Sequence, residues 1–137
     1  MSETEVVKRS VLVVEDEQSI RDILVELFDV ETNVVTAAEL LPDALEKLRT
    51  QRFDLVVTDL RLGGKRDGGL QVMALAGMLS PDATVLVLTA YPDDSNRQAS
   101  FRLGALHFLE KPVDLATITQ HAAAAGVRTA MAGTAQT

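Results

Sequence analysis

The chain has no cysteine among its 137 residues, so no disulfide staples it, and a reducing compartment suits it. Long hydrophobic runs are also missing. The opening Met1-Ser2-Glu3-Thr4-Glu5 is polar and acidic, without the apolar stretch of a signal peptide. Neither a cleaved leader nor a membrane span is therefore expected, and the setting read from the sequence is cytoplasmic. Positive charge is scarce as well. Thirteen Lys and Arg stand against 20 Asp and Glu, for a net charge of −7 and a pI of about 4.7. That balance argues against direct nucleic-acid binding and suits a module that concentrates cations. A chain of this length makes one domain and buries roughly 70% of its unfolded surface without a structural metal.

Strands and helices alternate along it. Val11-Leu12-Val13-Val14 reads as a buried strand opening into Glu15-Asp16-Glu17, and Ile20, Ile23, Leu24, Leu27 and Phe28 then recur at helical spacing. Asn33 to Ala37 is a second strand. A helix with Pro42 in its first turn turns Leu41, Ala44, Leu45 and Leu48 inward. Phe53 to Asp59 is a third strand with a carboxylate at its end. The glycines from Gly63 to Gly69 read as turns, and the next helix as presenting Leu70, Met73, Ala74 and Met78 to the core. Ala83 to Leu88 is a fourth strand ending at Thr89. A weakly apolar helix runs from Tyr91-Pro92-Asp93-Asp94 to Gly104, Leu106 to Leu109 form a short fifth strand, and the last helix presents Leu115, Ile118, Ala122 and Ala125. Fivefold alternation with short connections implies an α/β fold: a doubly wound, five-stranded parallel sheet with right-handed crossovers and five flanking helices. Residues 10–127 are read as this domain, residues 1–9 as a flexible start, and residues 128–137 as a frayed tail or linker stub, fraying beginning at Gly126.

Parallel strands all end on one edge, which is where open α/β sheets place their chemistry. The residues delivered there are Glu15, Asp16, Asp59, Thr89 and Lys111. Three crowded carboxylates repel unless a cation sits among them, and an all-oxygen donor set suits Mg²⁺. With Lys111 as a point charge and Thr89 as a hydroxyl donor, the set suits phosphoryl transfer, with Asp59 as the nucleophile.

In order along the chain, Val14-Glu15-Asp16-Glu17, Thr58-Asp59, Leu88-Thr89-Ala90, Gly104-Ala105 and Phe108-Leu109-Glu110-Lys111-Pro112 resemble the receiver domain of bacterial two-component response regulators, from about Val11 to Gly126. The resemblance implies a flavodoxin-like strand order of 2-1-3-4-5 and a phosphoacceptor role for Asp59. It implies Mg²⁺ held by Asp16, Asp59 and the backbone carbonyl of Arg61, with Glu15 acting mainly through a coordinated water. Thr89 would be the switch hydroxyl, Lys111 the phosphate-sensing cation and Phe108 the switch aromatic, and the Lys111-Pro112 bond is expected to be cis. The implied partners are a sensor histidine kinase or histidine phosphotransfer protein as donor, and a downstream protein on the face of the fourth helix, fifth strand and fifth helix. The chain would be a signalling phosphoacceptor rather than an enzyme acting on a separate substrate. One departure stands out: Gly63-Gly64-Lys65-Arg66 occupies the loop where the family usually carries a proline.

Two other classes compete. A phosphatase of the haloacid-dehalogenase type also uses a strand-end aspartate with Mg²⁺, but it needs a second Asp where Arg61 stands. A receiver-like interaction module indifferent to phosphorylation would have no use for the complete acid, hydroxyl and lysine set. Gly63-Gly64-Lys65 is not a phosphate-binding P-loop, since Arg66 stands where Ser or Thr is required. His107 and His121 are read as surface or edge residues, and Met73 with Met78 as helix core.

Overall fold

The apolar strand runs pair side by side because every backbone donor and acceptor needs a neighbour, and the three central runs are buried on both faces. The computed structural model describes residues 7–131. In chain order it contains β1 (Arg9–Val14), α1 (Gln18–Phe28), β2 (Asn33–Ala38), α2 (Leu41–Thr50), β3 (Leu55–Asp59), α3 (Gly68–Leu79), β4 (Thr84–Thr89), α4 (Asp94–Arg102), β5 (His107–Glu110) and α5 (Leu115–Ala124). All neighbouring strands are parallel, in the order β2-β1-β3-β4-β5. Fold class and strand order are as the sequence implied. No helix among the described residues is long and apolar enough to cross a membrane.

Successive strand residues face opposite sides of the sheet, and two cores result. Leu12, Val14, Val56, Val85 and Val87 pack under α2 and α3, while Val11, Val13, Leu55, Val57, Leu86 and Leu88 pack under α1 and α5. Each such side chain contributes about 1.5–3 kcal/mol when fully buried. The surplus is what lets the same strands hold charged groups at their ends.

Three expectations need correction. Gly68 and Gly69 are not turn residues but the first turn of α3, and the face they set differs from the one read off the sequence. Val72, Met73 and Ala76 are buried, whereas Ala74 is exposed and Met78 is 74% exposed. From Gly68 to Leu79 the helix carries no charged residue, so no polar stripe marked which side faces out. The edge reading holds for His107, on the edge strand β5, but neither histidine is a lone surface side chain. The rings of His107 and His121 stack with centroids 3.5 Å apart, joining β5 to α5. Burial, then the neighbouring His107, holds the His121 pKa below the ordinary 6.5.

The third correction concerns the chain after Gly126, which does not fray over residues 127–131. Gly126, with φ of +82°, ends α5 in a Schellman turn: its N–H bonds Ala123 O at 2.9 Å, and the Val127 N–H bonds Ala122 O at 2.9 Å. The reversed chain buries Val127 and Thr129. Asn33 Nδ2 donates to both Phe28 O and Arg128 O at 2.9 Å, and the Ala130 N–H donates to Leu27 O at 2.8 Å. Thr119 and Thr129 share a buried hydroxyl contact of 3.1 Å. The remainder of the expected flexible ends, residues 1–6 and 132–137, lies outside the described residues.

Candidate functional site

At the carboxyl edge, Glu15 follows β1 and is fully buried. Its Oε2 accepts the Glu17 N–H at 3.1 Å. From α1, the Arg21 guanidinium donates to the carbonyls of Glu15 at 3.0 Å and Asp16 at 3.5 Å, fixing the loop that carries both acids. Asp59 is the last residue of β3 and is 6% exposed; its Oδ1 accepts the Arg61 N–H at 3.4 Å. Lys111 follows β5, tied by its N–H to Thr89 O at 2.8 Å and followed by a cis bond to Pro112. Its Nζ lies 3.0 Å from Asp59 Oδ2 and 3.0 Å from Glu15 Oε1. The contact to Asp59 is a hydrogen bond, while that to Oε1 is an ion pair off the hydrogen-bond direction.

One ammonium thus serves two buried carboxylates, and a third, Asp16, stands beside them. Oxygen atoms of Glu15, Asp16 and Asp59 lie within 4.8 Å of one another. The charge balance is short by one cation or more. Burial and then the negative charge of Asp59 push the Glu15 carboxyl from its ordinary 4.5 up to about 7, against the opposing pull of Lys111 and the Glu17 N–H. Burial alone would lower the Lys111 pKa, but its contacts to Asp59 and Glu15 outweigh burial and raise it. A buried, undercompensated cluster of oxygen donors fits a divalent cation.

This balance makes a test of Lys111→Ala. With Glu15 held above its ordinary value, the folded chain keeps a proton that the unfolded chain releases above about pH 4.5, so stability falls as pH rises from there to about 7. Removing the ammonium raises the folded value further. The variant is expected to be about 2–3 kcal/mol less stable than the parent at about pH 8, with the deficit narrowing at about pH 5. Urea unfolding at the two pH values reads the difference; an equal deficit at both would assign it to lost packing of the lysine stem.

Sequence reasoning missed the other wall of the site. A pocket of about 330 Å³ is lined by Asp16, Asp59 and Lys111 on one side and by Arg61, Gly64 and Tyr91 on the other. The Arg61 guanidinium lies 4.1 Å above the Tyr91 ring, a cation–π contact at the mouth. The unusual loop closes as a two-residue hairpin: Leu62 and Lys65 exchange backbone hydrogen bonds of 3.1 and 2.9 Å. Gly63 and Gly64 between them have φ of +56° and +84°. Positive φ at both central positions is what a type I′ turn requires, and a Gly-Gly pair meets it without strain. The Gly63 N–H donates to Asp16 Oδ2 at 2.9 Å, so the loop is buttoned to one of the acids. Gly-Gly between Leu62 and Lys65 was the signal that could have found it.

Thr89 ends β4 and is buried, but its Oγ1 accepts the Tyr91 N–H at 2.9 Å and makes no hydrogen bond to Asp59. Phe108 is half-buried against α4, with the Phe101 ring 6.5 Å away and the Arg97 guanidinium 5.0 Å above its face. The structure therefore brings Glu15, Asp16, Asp59 and Lys111 into one cluster, sets the Arg61 backbone beside it, and leaves Thr89 at the adjoining end of β4 and Phe108 within β5, opposite Val87.

A family model described as the response regulator receiver domain matches residues 11–123. The chain belongs to that family. This receiver domain is 32% identical over 119 residues to the response regulator protein PilR of Pseudomonas aeruginosa, covering 86% of the chain but only 26% of that protein. It thus spans about a quarter of that relative's length. It is 30% identical over 105 residues to the sporulation initiation phosphotransferase F of Bacillus subtilis, covering 77% of this chain and 83% of that one. Among solved structures it is similar to a response regulator from Burkholderia pseudomallei, described with a phosphorylated aspartic acid, calcium ion and citrate (TM-score 0.74, 27% identity, 94% of this chain and 71% of that one). It is also similar to the non-phosphorylated HemR receiver domain of Leptospira biflexa (TM-score 0.75, 30% identity, 86% and 94% coverage).

Proposed function

We propose that this receiver domain takes a phosphoryl group onto Asp59 in a Mg²⁺-dependent step and reports it to a partner protein. The observation that carries the reading is the single Lys111 ammonium 3.0 Å from both Asp59 and Glu15, with Asp16 beside them. Asp59 is the strand-end carboxylate whose Oδ1 and Oδ2 are both held by donors, which aims it into the pocket. Glu15, Asp16, Asp59 and the Arg61 carbonyl would hold the ion, which when bound supplies the positive charge that lets an anionic phosphoryl group approach a carboxylate. The Burkholderia relative, described with both a phosphorylated aspartic acid and a calcium ion, supports a hard divalent cation in this chemistry.

Transfer from a phosphohistidine donor forms the Asp59 acyl phosphate as the donor's P–N bond breaks, and the donor imidazole leaves. The Lys111 ammonium moves from carboxylate to phosphoryl oxygen, a charge-assisted contact of the stronger kind. The Thr89 hydroxyl hydrogen-bonds another phosphoryl oxygen, and Phe108, packed under Phe101 and Arg97, follows the change in its strand. These contacts exist only in the phosphorylated state, so they shift the population between two conformations. The donor is a sensor histidine kinase or histidine phosphotransfer protein in the cytoplasm. The responding face is α4, β5 and α5, where Phe101, Leu103 and Leu106 are exposed. The domain is read as residues 10–127, to which the packed residues 128–131 are added. Its role is that of a signalling phosphoacceptor.

The test is intact and peptide mass after incubation with acetyl phosphate, with and without MgCl₂. One phosphoryl group on the Asp59 peptide, only with the cation, is expected. Modification elsewhere, or none under either condition, overturns the reading.

A further inference from the structure

Away from the phosphoacceptor edge, α2 and α3 leave an open apolar groove of about 280 Å³ lined by Leu45, Arg49, Gln71, Ala74, Leu75 and Met78. Met78 is 74% exposed and α3 offers no charged side chain over its whole length. A second groove, of about 290 Å³, continues from it past Arg49 to Arg52 and Leu79. Helices here run from the carboxyl edge of one strand to the amino edge of the next, so Met78, Arg49 and Arg52 lie toward the edge opposite Asp59. Both arginines are exposed, and among the described residues neither has a carboxylate within 4.0 Å. An uncompensated basic rim on an uncharged groove runs against the charge of a chain that is −7 overall. Helix-dipole compensation accounts for basic residues in the last turn of α2, but not for Arg52 beyond it.

We infer that the α2–α3 groove docks an amphipathic helix of a partner protein whose apolar side chains enter between Leu45, Leu75 and Met78 and whose Asp or Glu residues pair with Arg49 and Arg52. Small Ala74 and Gly77 on the exposed side of α3 leave room for a close helix approach. The charge pattern selects the occupant. A second copy meeting this groove about a two-fold axis would bring the same basic patch from both copies into one interface, and the groove lining holds no acid to offset it. The face is separate from α4, β5 and α5, so both can be engaged together.

The probe is a synthetic amphipathic helix with Leu at i, i+4 and i+7 and Glu at the flanking positions, titrated into the ¹⁵N-labelled full chain. A second peptide carries Lys for every Glu. Amide shifts centred on Leu45, Arg49, Leu75 and Met78 are expected with the Glu peptide only. Affinity should fall about tenfold in Arg49→Glu, with Arg49→Gln intermediate, and Arg49→Glu should gain binding of the Lys peptide. Equal binding of the two peptides, shifts centred on another face, or a concentration-dependent dimer by sedimentation that Met78→Glu abolishes would each overturn the inference. Phosphoryl incorporation, measured in the same variants, is expected to be unchanged, which separates this result from the Asp59 reading.

Discussion

In Asp59→Asn, phosphoryl incorporation from acetyl phosphate is expected to fall to background while the chain keeps its fold. The amide retains an oxygen that can accept from Lys111 Nζ or the Arg61 N–H, the two donors that now hold the carboxylate at 3.0 and 3.4 Å, but it is no nucleophile. Its neutrality also changes the balance of the cluster. The parent sets one ammonium between two buried acids; the variant sets one against one. Asp59's charge is the second cause, after burial, of the raised Glu15 pKa, so the Glu15 value should drop toward its ordinary range. The stability that the parent loses between about pH 4.5 and 7 is then partly kept. The variant should gain on the order of 1 kcal/mol relative to the parent on going from about pH 5 to about pH 8. Cation affinity should drop by at least about tenfold, since even an outer-sphere partner is worth that much. Intact mass, urea unfolding at both pH values and a Mg²⁺ titration read the three effects. Undiminished incorporation would mean that another residue is the acceptor.

What was legible in the sequence is what periodicity and strand-end position encode. The five apolar runs, the parallel sheet and the meeting of Glu15, Asp16, Asp59 and Lys111 at one edge all follow from patterns that survive without coordinates, whereas the strand order came from the family resemblance. Gly104 likewise marked the end of α4, where it has φ of +99° and a Schellman bond links Ala105 to Ser100. Three kinds of information were not legible. The facing of α3 was lost because an uncharged helix has no polar stripe to orient it. The docking of residues 127–131 was lost because it rests on hydrogen bonds from Asn33 Nδ2 to Arg128 O and from the Ala130 N–H to Leu27 O, pairs far apart in sequence. The Arg61–Tyr91 and His107–His121 contacts join residues from different elements, and no local spacing announces such pairs.

Gly69→Ala is expected to be among the most damaging single substitutions in the domain, although alanine is by propensity the better helix former by about 1 kcal/mol. Gly69 sits in the first turn of α3 with its N–H bonded to Leu60 O at 2.8 Å. A Cβ there would overlap Asp59 O and lie 2.8 Å from Leu60 Cα and 3.1 Å from Asp59 C. These are backbone atoms at the carboxyl end of the central strand β3 and cannot rotate away. Either α3 lifts from β3, or the end of β3 moves and takes the Asp59 carboxylate with it. The strain should cost about 3 kcal/mol, which for a domain of this size lowers Tm by roughly 10 °C. A shift of an ångström at the nucleophile can slow a positioned reaction about a hundredfold, so incorporation from acetyl phosphate should slow by more than the unfolded fraction explains. Gly77 provides the contrast within the same helix. A Cβ at Gly77 meets nothing within 4 Å, and Gly77→Ala should therefore raise stability by about 0.5–1 kcal/mol and leave the phosphorylation rate alone. The same chemical change, two turns apart, is thus expected to act with opposite sign. Thermal melts and single-turnover phosphorylation of the two variants decide it. If Gly69→Ala melts with the parent, α3 does not rest directly on the backbone of Asp59, and the placement of the nucleophile has to be explained by its side-chain partners alone.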